Sequence, residues 1–140
     1  MKFSATICRY LLGLIFLVFG LNGFLHFIPV PPPKDPVAGQ YLGALFVSHY
    51  LVVVYLLQIV PGALLLANRY VPLALTLLGP VLANIVFFHA FMAPEGLPLP
   101  LILTALWLVV AFYHRKAFSG LFQAHGPQPA AAIPAPLGHG

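Results

Sequence analysis

Apolar residues run through this chain in stretches far longer than an amphipathic period, and charged residues fall only between them. No Asp, Glu, Lys or Arg occurs from Tyr10 to Pro33, from Val37 to Asn68, from Tyr70 to Pro94 or from Gly96 to His114. A helix needs about 20 apolar residues to cross a hydrocarbon core about 30 Å thick. Each window therefore predicts one spanning helix, near residues 6–28, 41–67, 71–92 and 98–117. The second window is long, but Gly39-Gln40-Tyr41 opens it with polar character, which favours one tilted helix over two. A closed barrel would need alternating strands, and Leu11-Leu12-Gly13-Leu14-Ile15-Phe16-Leu17-Val18-Phe19 does not alternate. The prediction is all-α: a transmembrane four-helix bundle.

Punctuation between the windows agrees. Pro29-Val30-Pro31-Pro32-Pro33 cannot be helical and should run extended. Asn68-Arg69-Tyr70 makes a tight turn, and Pro61-Gly62 and Pro80 predict kinks inside spans. Lys2, Arg9, Arg69, Arg115 and Lys116 fall on one side of the membrane, against Lys34, Asp35 and Glu95 on the other. Basic loops stay in the cytoplasm, so both termini are expected there. Residues 1–28 have the order of a signal peptide, but the apolar run exceeds an h-region of about 7–15 residues and no Ala-x-Ala-like site follows. An uncleaved first helix is expected. The tail, residues 123–140, is rich in Pro, Ala and Gly and reads as disordered.

Composition sharpens this picture. Apolar residues make up 61% and charged residues 6% of the 140, with a mean hydropathy of +1.01. A water-soluble domain of this size could not hide so much apolar surface. The net charge of +4 is spread along the chain, which excludes a nucleic-acid surface. The lone Cys8 excludes an internal disulfide, a CxxC redox pair and a multi-Cys zinc site. No Gly-rich phosphate loop and no buried pair of carboxylates is present. A proton pump or carrier of charged substrates would normally place an ionisable residue within a span.

Polar residues inside the windows carry what chemistry there is. Asn22 and His26, four apart, share a helix face. Topology brings them to the same depth as Ser48 and His49 on the second helix and Asn84 and His89 on the third, toward the outer side. Asn84 and His89 are separated by roughly 140° around a helix, so both face one pocket only if it reaches well around that helix. Tyr41, Ser48 and Tyr55 form a polar seam, and Gly13, Gly20 and Gly23 allow close helix contact. Three readings stand for Asn22, His26, His49, Asn84 and His89. They are interhelical hydrogen-bonding glue, or the lining of a pocket for a quinone or other apolar molecule with a polar head. The third is a haem or metal site on the three histidines, disfavoured because no intramembrane carboxylate orients the rings. His114-Arg115-Lys116 reads as a helix end at the headgroups, able to meet anionic lipid.

Arg9 to Phe16 followed by Gly20-Leu21-Asn22-Gly23 resembles the first helix of DoxX-like proteins. Leu78-Gly79-Pro80-Val81-Leu82-Ala83-Asn84 continuing to His89 resembles the third helix of a DoxX-like subgroup, and Ala93-Pro94-Glu95-Gly96-Leu97-Pro98 with the Trp107 region extends the likeness over residues 7–122. The resemblance implies a multi-pass four-helix bundle in the bacterial cytoplasmic (inner) membrane. It also implies an accessory or anchoring subunit for a redox partner protein, holding a quinone or other apolar small molecule. A purely structural membrane protein and a cofactor-dependent membrane oxidoreductase component are the alternatives. Many relatives carry a Lys after the first-helix glycine. Here Gly23-Phe24 stands there, so no role for that Lys transfers, and Asn84 and His89 match as positions only.

Overall fold

The computed structural model describes residues 1–124 and 126. Among these residues all regular structure is helical. Helix α1 spans Lys2–Leu25, α2 Pro36–Val47, α3 Tyr50–Leu66, α4 Val71–Phe91 and α5 Pro98–Tyr113. Short 3-10 segments cover Pro94–Gly96 and Arg115–Phe122. Apart from Gln123, Ala124 and Gly126, the expected disordered tail lies outside the described residues.

Helices α1 and α4 are each long and apolar enough to cross a bilayer unaided. Helices α3 and α5, with 17 and 16 residues, rise only about 26 and 24 Å. They reach spanning length when counted with their bent neighbours, α2 at 86° to α3 and Arg115–Phe122 at 82° to α5. The chain thus carries two to four candidate membrane spans.

The single tilted helix expected over 41–67 is broken at Ser48-His49. His49 takes a left-handed backbone, φ 61°. The Ser48 hydroxyl donates to the Leu45 carbonyl at 3.2 Å and accepts from the Tyr50 N–H at 3.4 Å. Such side-chain bonds offer the backbone an alternative to the helical ladder, and hydropathy cannot register them. Helix α1 starts earlier than expected and stops at Leu25, where left-handed His26 (φ 53°) sends its N–H to the Asn22 carbonyl at 2.9 Å. Helix α4 falls where the third window placed it. At the start of α2, Asp35 caps the Val37 N–H at 2.7 Å and Pro36 occupies the first turn, as both residue types favour.

Helix α1 packs against α3 and α5, and α4 packs against the same two from the other side. Leu12 and Phe16 of α1, Leu65 of α3, Leu75 and Leu78 of α4 and Val110 of α5 form the core. The α1–α3 crossing is built on glycine. A Cβ on Gly62 would meet the Gly13 carbonyl oxygen at 2.9 Å and the Leu17 nitrogen at 2.8 Å. Gly20 and Gly23 face Ile59 and Tyr55 of the same helix. The Trp107 indole N–H ties α5 to α4 through the Leu75 carbonyl at 3.0 Å. Large apolar side chains such as Leu14, Val53, Leu73, Phe87 and Leu108 point outward. Water would disfavour that surface; hydrocarbon would not.

Candidate functional site

A cavity of about 520 Å³ lies among α1, α3, α4 and α5, toward the end where α1 finishes and α5 begins. Helix α1 contributes Phe16, Phe19 and Asn22, and α3 contributes Tyr55 and Gln58. Ile85 and His89 come from α4, and Leu99, Pro100 and Leu103 from α5. The segment from His26 to Val30 closes part of the wall. No Asp, Glu, Lys or Arg lines the space. An ionised ligand would lose its hydration there without a counter-charge, so the cavity suits an uncharged molecule.

The polar groups in the lining divide by what they already bind. Asn22 shapes the wall. Its Nδ2 donates to the Ile28 carbonyl at 3.0 Å and its Oδ1 accepts from the Ile28 N–H at 2.6 Å. This two-point clamp folds the chain back after left-handed His26 and presents Ile28, Pro29 and Val30 to the cavity. His89 is half engaged. Its Nδ1 lies 2.9 Å from the Ile85 carbonyl. A carbonyl oxygen only accepts, so Nδ1 carries the proton and Nε2 is left as an acceptor. Gly96 passes directly over that ring edge, where any Cβ would collide with the imidazole. The third group is Gln58. It is 8% exposed and makes no hydrogen bond among the described residues, yet no buried side-chain polar atom is left without access or partner. Its amide therefore opens onto the cavity it lines.

Of the residues singled out in the sequence, the fold brings Asn22, His26 and His89 to one cavity. Asn84 turns away from it: its side-chain amide sits 3.5 Å from the Tyr41 hydroxyl of α2, and Tyr41 stacks on Phe88. The separation around α4 thus places the pair on different surfaces. His49 stands exposed at the α2–α3 break and lines no part of the cavity. Among the described residues no cluster of three or more His, Cys, Asp or Glu could hold a metal ion. Gln58 is, with Tyr55, a polar lining group outside the five residues grouped from the sequence. Its signal was available: Gln58 is a lone amide in an apolar run, one turn from Tyr55.

No known protein family, curated protein or solved structure matches this chain.

Proposed function

We propose that this chain is a DoxX-like, four-span protein of the bacterial cytoplasmic membrane, with both termini inside. It holds an uncharged apolar molecule with a carbonyl or hydroxyl head, a quinone being the leading case, and serves a redox partner as an accessory subunit. The observation that carries the ligand reading is the nine-tenths-buried Gln58 amide, unpartnered among the described residues, opening into an uncharged, largely apolar cavity of about 520 Å³. The amide is reachable from the cavity, so a ligand head can hydrogen-bond to it directly. Gln58 offers two donors and an acceptor, and His89 Nε2 accepts. Together they match the carbonyl–hydroxyl pattern of a quinone or quinol, while Phe16, Phe19 and Leu103 match its apolar body. The partner-subunit part rests on the DoxX-like residues alone.

A structural role is favoured for two members of the original set. Asn22 spends its amide on Ile28, and Asn84 faces Tyr41.

Native mass spectrometry of protein extracted gently from its own membrane, with solvent extraction of whatever is bound, tests the proposal. A stoichiometric uncharged molecule, lost from Gln58→Leu and from His89→Phe while the fold persists, is the expected result. A clean apo mass from native membranes would overturn the ligand reading and leave a structural protein.

A further inference from the structure

The opposite end of the molecule carries a second cavity of different character. It measures about 180 Å³ and is lined by Lys2, Thr6, Arg9, Asn68, Tyr113 and His114, with Ala5 between them. Lys2, Ala5, Thr6 and Arg9 recur at helical spacing and form one face of α1. Asn68 comes from the α3–α4 turn, and Tyr113 and His114 from the end of α5. Three chain segments thus converge on one polar recess where the helices end.

Arg9 is its unusual member. It is 6% exposed, and a buried guanidinium is expected to have an anionic partner. Among the described residues none is within reach. The chain has only two acidic residues. Glu95 sits in the α4–α5 turn beside Gly96, at the end that holds the larger cavity. Asp35 caps α2, whose Tyr41 meets Asn84 and Phe88 on the outer part of α4. What Arg9 does contact is modest. Its Nη1 donates to the Leu65 carbonyl in the last turn of α3, and its guanidinium lies 4.2 Å from the Tyr10 ring centroid. A guanidinium has five N–H donors in a planar fork suited to phosphate oxygens. Capping α3 uses one of its nitrogens, and the residue also lines the recess. Around it stand Lys2 and His114 in the recess, with Arg69, Arg115 and Lys116 in the adjoining segments. Partial burial and then the nearby Arg9 charge hold His114 below the usual imidazole range. A further positive charge is thus disfavoured at this spot.

We propose that this recess binds a phosphate-bearing anion, with Arg9 as the buried anchor and Lys2 as its mobile partner. Asn68 and Tyr113 supply neutral donors around the remaining oxygens. The shared chemistry is a phosphate monoanion, presented either by an anionic phospholipid headgroup or as a free ion. A site at helix ends beside an apolar, outward-facing surface is open to both sources. This inference does not depend on the larger cavity or on any ligand there.

The test is a titration of the purified full chain in neutral detergent, read by native mass spectrometry. The probes are dioleoylphosphatidylglycerol, dioleoylphosphatidylcholine and inorganic phosphate. One phosphatidylglycerol should be retained about tenfold more tightly than phosphatidylcholine, whose phosphodiester is offset by its own trimethylammonium beside Arg9 and Lys2. Arg9→Gln should remove that preference. Because Arg9 also caps α3, Lys2→Gln combined with His114→Gln provides a variant that leaves the cap intact, and it should lower the preference several-fold. Arg115→Gln combined with Lys116→Gln changes the adjoining surface alone and should alter it less than twofold. Competition by millimolar inorganic phosphate would assign the site to a free anion, and its failure to compete would assign it to the lipid headgroup. Equal retention of the two lipids, with no binding of inorganic phosphate, would overturn the proposal. So would loss of the preference in the Arg115/Lys116 variant with none in the Lys2/His114 variant.

Discussion

Replacing Gly62 by alanine tests the helix crossing on which both cavities depend. An added Cβ would stand 2.8 Å from the Leu17 nitrogen, 2.9 Å from the Gly13 oxygen and 3.2 Å from the Leu17 Cα. All three atoms are α1 backbone, so no side-chain rotation relieves the contact. Ordinary van der Waals separation begins near 3.4 Å, and the two helices must part by about half an ångström. Gaps of that size forfeit about a quarter of each dispersion contact along the seam, and overpacking of this kind costs about 1–3 kcal/mol. Alanine also favours helix over glycine by up to about 1 kcal/mol, which works the other way. Gly43→Ala isolates that gain, since nothing lies within 4 Å of its would-be Cβ. The difference between the two variants should therefore equal the packing cost, about 1–3 kcal/mol. Gly13→Ala should match Gly62→Ala, and the double variant should cost less than the sum, because one helix separation relieves both. Gly20→Ala should be milder, as its closest neighbour is the Ile59 side chain at 2.7 Å. Unfolding in mixed micelles of rising SDS fraction can be followed through the single tryptophan, Trp107. Gly62→Ala as stable as Gly43→Ala would refute the close α1–α3 crossing.

Asn22→Leu strips two hydrogen bonds from the Ile28 backbone; stability should fall by about 1–3 kcal/mol, and protease cleavage between His26 and Pro33 should accelerate. His26→Gly places the residue suited to left-handed backbone at φ 53°, so the same unfolding assay should show a gain of up to about 1 kcal/mol; a loss above 1 kcal/mol would mean that the exposed imidazole anchors the cavity wall. For His114 partial burial, and then the Arg9 charge, hold the folded-state pKa below the ordinary imidazole value of about 6.5. Its contribution to stability is whole above that value and is lost as pH falls toward the folded pKa. The stability–pH curve should therefore slope down on the acid side of about 6.5, and His114→Gln should flatten it; an unchanged slope in that variant would remove His114 as the cause.

The apolar helices Lys2–Leu25 and Val71–Phe91 were legible because a hydrocarbon core requires length and excludes charge, and both leave marks in sequence. Val71–Phe91 was fixed by Arg69 on one side and Glu95 on the other. The grouping of Gly13, Gly20 and Gly23 was legible for the same kind of reason: close backbones need small residues, and all three meet α3. The break at Ser48-His49 was not legible, since its cause is a pair of hydrogen bonds and one left-handed residue inside an apolar run. The site was read in part. Asn22, His26 and His89, grouped by their depth along the helices, line one cavity, but depth carries no azimuth: Asn84 faces Tyr41 and His49 stands exposed at the α2–α3 break.

The break and the larger cavity are two sides of one arrangement. Had α2 and α3 been continuous, the helix would have run on beside α1 past Tyr55 and filled the space above it. Instead α2 swings away by 86° and engages α4 through Tyr41, and none of its residues lines the cavity. Helix α1 ends at the same end of the molecule, and its continuation turns at His26 and is held across the opening by Asn22. Two helix terminations, each marked by a left-handed histidine, thus leave room that packing would otherwise close. Non-glycine residues in that backbone region cost about 1–2 kcal/mol each, and glycine at either position would cost less. Strain of this kind persists where the surrounding structure needs it. For His26, which lines the cavity, the imidazole itself supplies a reason to retain the strained residue. For exposed His49 the reason must lie in the bend, so His49→Gly should preserve cavity occupancy where His26→Gly lowers it.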